Sequence, residues 1–120
     1  MNSELTWVEV NDQHAADGLI VIADGFHDAI VTSAFWEGAE FVNLVGELEF
    51  HGFGSLLLRI SSQLQDVAPL ELRFEDVRSF RYDYDLDFRS MILVQPDGVS
   101  ARLLAWEIQA HRLGYRVLGT

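Results

Sequence analysis

The sequence predicts a mainly β, antiparallel domain, a meander folded into one curved sheet or a two-layer sandwich. Three observations point there: apolar and polar residues alternate with period two in several segments, short turn signals separate those segments, and no strand–helix–strand rhythm appears. The chain has 120 residues and 49% hydrophobic composition, which suits one domain, residues 1–120. A chain of this length buries roughly two-thirds of its unfolded surface, enough for a core without staples.

The clearest alternating run places Phe80, Tyr82, Tyr84, Leu86 and Phe88 on one face and Ser79, Arg81, Asp83, Asp85 and Asp87 on the other. A helix would scatter those aromatics around its circumference. The run is long for one strand and is expected to bend near Asp85. Leu56, Leu58 and Ile60 form a second set. Leu70, Leu72 and Phe74 form a third, with Glu71, Arg73 and Glu75 opposite. Val42, Leu44, Gly46, Leu48 and Phe50 read as a fourth strand. Ile30–Trp36 and Leu19–Ala23 are weaker strand candidates. Met91–Gln95 is a short apolar strand that ends at Pro96-Asp97-Gly98, a turn signal. His51-Gly52-Phe53-Gly54 and Asp24-Gly25 are further turns, because glycine tolerates positive φ.

The C-terminal stretch admits two readings. Ser100 and Gly114 could cap a helix, with Leu104, Ile108 and His111 on one face, giving an α+β domain. Trp106, Ile108 and Ala110 also alternate with Glu107, Gln109 and His111, and the strand reading is favoured.

Charge is the first feature that bears on function. Net charge is −11, all eight basic residues are Arg, and there is no Lys. Met1–Leu58 holds ten acidic residues and neither Lys nor Arg. A surface of that sign repels phosphate and anionic lipid, so nucleic-acid and membrane binding are disfavoured and a basic protein partner is favoured. The plain alternative is that the charge only keeps the protein soluble. No apolar run approaches the ~20 residues of a membrane helix. Met1–Val10 lacks the positive start of a secretory signal, and a cytoplasmic location is expected.

No signature of catalysis stands out, and the chain is read as a non-enzyme without a cofactor. It has no cysteine, which removes thiolate chemistry, disulfides and Cys-bound zinc. Asp83-Tyr84-Asp85-Leu86-Asp87 resembles the start of a calcium loop, but Phe88 stands where glycine is needed and Val94 where the bidentate Glu belongs. On a strand those carboxylates stand roughly 7 Å apart and would hold a hard cation weakly at best. Gly52-Phe53-Gly54-Ser55 is not a nucleophile elbow, which needs Gly on both sides of Ser. His14, His27, His51 and His111 show no metal-ligand spacing. A small-ligand pocket would require His27, Asp28 and His51 to converge. Trp7, Trp36 and Trp106 suit inter-strand packing. Trp36, beside Glu37-Gly38-Ala39-Glu40, is the one most suited to a surface binding patch.

Phe26-His27-Asp28-Ala29 leading into a strand, then an apolar alternating strand, then Leu72-Arg73-Phe74-Glu75-Asp76-Val77, is similar to small bacterial β-rich domains that include immunity proteins of polymorphic toxin systems. The resemblance spans roughly residues 26–95. It implies a non-enzymatic cytoplasmic protein that binds a cognate toxin. An acidic inhibitor would be steered onto a basic toxin such as a nuclease, with carboxylates standing in for phosphates. The residues expected to do so are Glu37, Glu40, Glu47, Glu49, Asp83, Asp85 and Asp87. A self-associating structural domain is the alternative, with sheet edges pairing into a homodimer.

Overall fold

A computed structural model describes residues 6–38, 40–50, 53–83 and 90–119. The fold is mainly antiparallel β, with a curved main sheet and, among the described residues, a single α-helix. The strands are β1 (Val8–Glu9), β2 (Ala29–Glu37), β3 (Glu40–Val42), β4 (Leu48–Phe50), β5 (Gly54–Ser62), β6 (Leu70–Tyr82), β7 (Met91–Gln95), β8 (Gly98–Leu103) and β9 (Trp106–Val117). The main sheet has seven strands in the order β2-β5-β6-β9-β8-β7, with β1 paired to the far end of β9. Strands β3 and β4 form a separate two-stranded hairpin.

Strand pairing follows the chain wherever turns are short, as in β7-β8-β9 and β5-β6. The exception is β9, which returns to lie between β8 and β6. That gives the four strands β6 to β9 a Greek-key order, in which one long connection replaces a hairpin. The C-terminal stretch is the hairpin of β8 and β9 with a turn at Leu104-Ala105, and β9 follows the Trp106-Ile108-Ala110 alternation, so the alternative of a helix over residues 100–113 is set aside.

The helix lies elsewhere, in α1 (Gln13–Ile22). The strand expected at Leu19–Ala23 is therefore corrected. Asp12 is extended and its Oδ1 accepts from the Ala15 amide at 2.8 Å, capping the first turn. Ala16, Leu19 and Ala23 then fall on one face at helical spacing and are buried. The β-branched run Ile20-Val21-Ile22 imitates a strand locally, but the cap and the buried stripe decide the outcome. A second correction concerns Val42–Phe50. It is not one strand but β3 and β4 joined by a tight loop, in which Asn43 Oδ1 accepts from the Val45 and Glu47 amides at 3.1 and 2.9 Å. Gly46 sits there at φ 87°, where a Cβ would be strained.

The sheet has an apolar inner face and a charged outer face. Leu56, Leu58, Ile60, Leu70, Leu72, Phe74, Val77, Ile92, Leu103, Ile108 and Leu113 are buried on the inner side with Leu19 and Phe26. On long β6 the alternation is not continuous: Asp76 has φ 52° and the pairing with β9 shifts between Val77 and Ser79. Such bulges change which face a residue occupies. They explain why Phe74, Val77 and Phe80 can all turn inward.

The two sheet edges differ. At the β7 edge, the Gln13 side chain of α1 acts like a strand residue. Its Nε2 donates to the Ile92 carbonyl at 2.8 Å and its Oε1 accepts from the Val94 amide at 2.9 Å. The β2 edge has β5 on one side and no paired strand on the other among the described residues.

Candidate functional site

Two surfaces stand out, one on each face. On the outer face, cross-strand register sets arginines opposite carboxylates. Arg59, Glu71 and Arg116 are direct neighbours on β5, β6 and β9. Glu71 is 3% exposed; its Oε2 accepts from Arg59 at 2.9 Å, and its Oε1 accepts from Arg116 at 2.6 Å. One rung along, Gly114 lies between Arg73 and Glu9, and the missing side chain lets Arg73 reach across to Glu9 Oε1 at 2.8 Å. Arg112 meets Glu75 at 3.1 Å. Glu107 is held from both sides, by Arg81 at 3.0 Å and Arg102 at 2.9 Å. Trp7 lies over this face with Arg73 and Arg116 4.3 and 4.5 Å from its ring centroid, a cation–π pairing.

Burial alone would push the Glu71 carboxyl up. The hydrogen bonds and positive charge of Arg59 and Arg116 outweigh it and hold the group below its ordinary value of 4.5. Every described arginine has a carboxylate within ion-pair distance: Arg78 reaches Asp97 at 3.7 Å and the others are those named above. The ladder is thus internal structure, with its positive charge already matched.

The second surface is a row of rings at one end of the inner face. Trp36 is the cross-strand partner of buried Leu56, Phe80 of buried Ile108, and Tyr82 of Trp106. Paired residues share a face, so all four rings turn inward, beyond the part of the sheet where the core is closed. Strand β5 begins at Gly54, so β6 from Arg78 onward has no β5 neighbour. The Trp36 ring leans across Gly54 into that space. A Cβ on Gly54 would stand 2.4 Å from the ring, so glycine there is what lets the indole lie flat. Trp36 and Phe80 have centroids 4.8 Å apart, Phe80 and Trp106 6.3 Å, and Trp106 and Tyr82 5.4 Å. Trp36 is 44% exposed and Tyr82 54%, so the row forms an open aromatic surface.

The carboxylates singled out from sequence lie in several parts of the fold. Glu37 follows Trp36 at the end of β2 and is exposed; Glu40 and Glu47 are exposed on the β3-β4 hairpin, whose Val42, Leu44 and Val45 are also open. None of these three carboxylates forms an ion pair with a described residue. Glu49 lies in β4. Asp83 follows Tyr82, with its amide donating to the Ala105 carbonyl at 3.0 Å. Asp85 and Asp87 lie outside the described residues, as does His51. His27 and Asp28 are exposed at the exit of the turn Asp24–Phe26. No group of three or more His, Cys, Asp or Glu is arranged to hold a metal among the described residues, and no described helix is long and apolar enough to cross a membrane.

Trp36 was legible as a surface residue from its neighbours. Phe80, Tyr82 and Trp106 were legible as one strand face each, but not as one site, because the register that joins them links distant parts of the chain. No family model, curated protein or solved structure matches this chain.

Proposed function

We propose that this protein is a non-catalytic binding module for a cationic protein. The observation that carries this reading is the unequal matching of charge. The described arginines are all paired with carboxylates, whereas Glu37, Glu40 and Glu47 stay exposed without a cationic partner among the described residues. Glu37 closes β2 directly after Trp36, and Glu40 and Glu47 share the β3-β4 hairpin with the exposed Val42, Leu44 and Val45; apolar anchors and charged residues together are the usual make-up of a protein interface. Exposed rings and carboxylates both suit arginine and lysine side chains, which can stack on the first and pair with the second.

The resemblance to immunity proteins sharpens the reading to a cognate toxin, a basic nuclease being the chemistry such a surface would cover. The test is direct. The product of the neighbouring gene is co-expressed with this protein, and growth and complex formation are followed. The variant Glu37→Lys/Glu40→Lys/Glu47→Lys should bind that product with an association rate about 10–100-fold lower at low salt. An unchanged rate would remove the electrostatic reading, and no complex at all would remove the immunity reading.

A further inference from the structure

The two edges of the main sheet are treated differently. The β7 edge has five residues, and the Gln13 amide occupies its Ile92 and Val94 backbone groups. The β2 edge runs nine residues, Ala29–Glu37, with its outer side unpaired among the described residues. It has no Lys, no Pro, and a single charge, Glu37, at its last position, and its one irregularity, between Val31 and Ser33, leaves Ser33–Glu37 regular. Ile30, Phe35 and Trp36 are exposed at 56%, 63% and 44%. A strand this long and apolar, left open where the opposite edge is closed, is a pairing surface.

We infer that β2 pairs antiparallel with β2 of a second copy of this chain, about a two-fold axis at Phe35. The pleat limits the register. The β2-β5 pairing shifts between Val31 and Ser33, so Ser33–Glu37 is the uninterrupted segment. Within it Ala34 and Trp36 oppose the inner-face residues Leu58 and Leu56, and Ser33 and Phe35 oppose Arg59 and Leu57. An axis at Phe35 sets Phe35 against its own copy, Ala34 against Trp36, and Ser33 against Glu37. Every pair then shares a face, the most exposed ring of the strand is covered by itself, and no carboxylate faces a carboxylate. The edge is therefore complementary to itself in shape, polarity and charge, which is what favours a second copy over an unrelated extended peptide. The joined sheet would place the two aromatic rows on one continuous face.

Two chains of charge −11 repel one another, so this association strengthens as salt screens the repulsion. Binding of a cationic protein does the reverse, so the two can be told apart in one instrument. Sedimentation of the wild-type protein is measured over a concentration series at low and high salt. A dimer that grows with salt, and that Phe35→Lys abolishes while circular dichroism stays unchanged, is the expected result. Because the chain has no cysteine, Phe35→Cys should form a covalent dimer under mild oxidation, whereas Leu93→Cys on the β7 edge should not. A wild-type protein that stays monomeric to millimolar concentration overturns the proposal. So does a dimer that survives Phe35→Lys, or one that cross-links through Leu93→Cys in place of Phe35→Cys.

Discussion

Glu71 shows how much one buried carboxylate can organise. It is enclosed on the outer face and takes hydrogen bonds from Arg59 and Arg116 on the two flanking strands. The alternation of Glu71, Arg73 and Glu75 was legible in the sequence as the polar side of a strand. Which arginine would meet which carboxylate was not, because Arg59 and Arg116 are 12 and 45 residues away. The folded protein holds the Glu71 carboxyl below its value in the unfolded chain. Its contribution to stability is therefore complete above the unfolded value of 4.5 and is lost as pH falls through the lower folded value. Glu71→Gln should destabilise the protein at pH 7 by roughly 2 kcal/mol, less than the ~3–5 kcal/mol for a fully enclosed pair because both guanidiniums reach water. The wild-type advantage should narrow below pH 4.5. Urea unfolding at pH 7 and pH 3 reads both effects, and equal differences at the two pH values would show that the charge of Glu71 is not what matters.

Individual elements were legible to the extent that their signals were local. Leu56–Ile60, Leu70–Phe74 and Met91–Gln95 alternate or run apolar between turns, and each became a strand. The helix was hidden because its apolar residues include the β-branched run Ile20-Val21-Ile22, while its cap, Asp12, is a residue type equally common in turns. The hairpin within Val42–Phe50 was hidden for a related reason: Leu44 fits the alternation, but in the fold it is at a loop tip facing water. Gln13 left no sequence signal, since its role depends on α1 lying beside β7. Its two hydrogen bonds to the β7 backbone together should be worth about 1–2 kcal/mol. Gln13→Ala should lower stability by that amount and open the β7 edge, seen as added light scattering on heating. A variant that melts like the wild type without extra scattering would show that the amide does not protect the edge.

At the scale of the whole molecule, the fold sorts charge that the sequence only counts. The lopsided distribution, with no Lys or Arg before Arg59, was plain at the start. What the sheet adds is that the described arginines pair with carboxylates, most of them on the outer face, leaving the excess negative charge with the N-terminal half. That excess opposes compaction at low ionic strength, where the screening length is about 30 Å at 0.01 M against about 8 Å at 0.15 M. Raising salt across that interval should raise the melting temperature by a few degrees. A fall would mean that weakening of the Arg–carboxylate ladder outweighs relief of the repulsion. The Greek-key step from β6 to β9 is the part of the architecture least readable in advance, because nothing near Tyr82 or Trp106 marks them as neighbours.

The placement of the three tryptophans gives the protein optical reporters for both of its sides. Trp7 lies under two guanidiniums on the charged side, while Trp36 and Trp106 belong to the ring row on the other. Emission from single-tryptophan variants would then show which side a bound molecule touches, with no added dye.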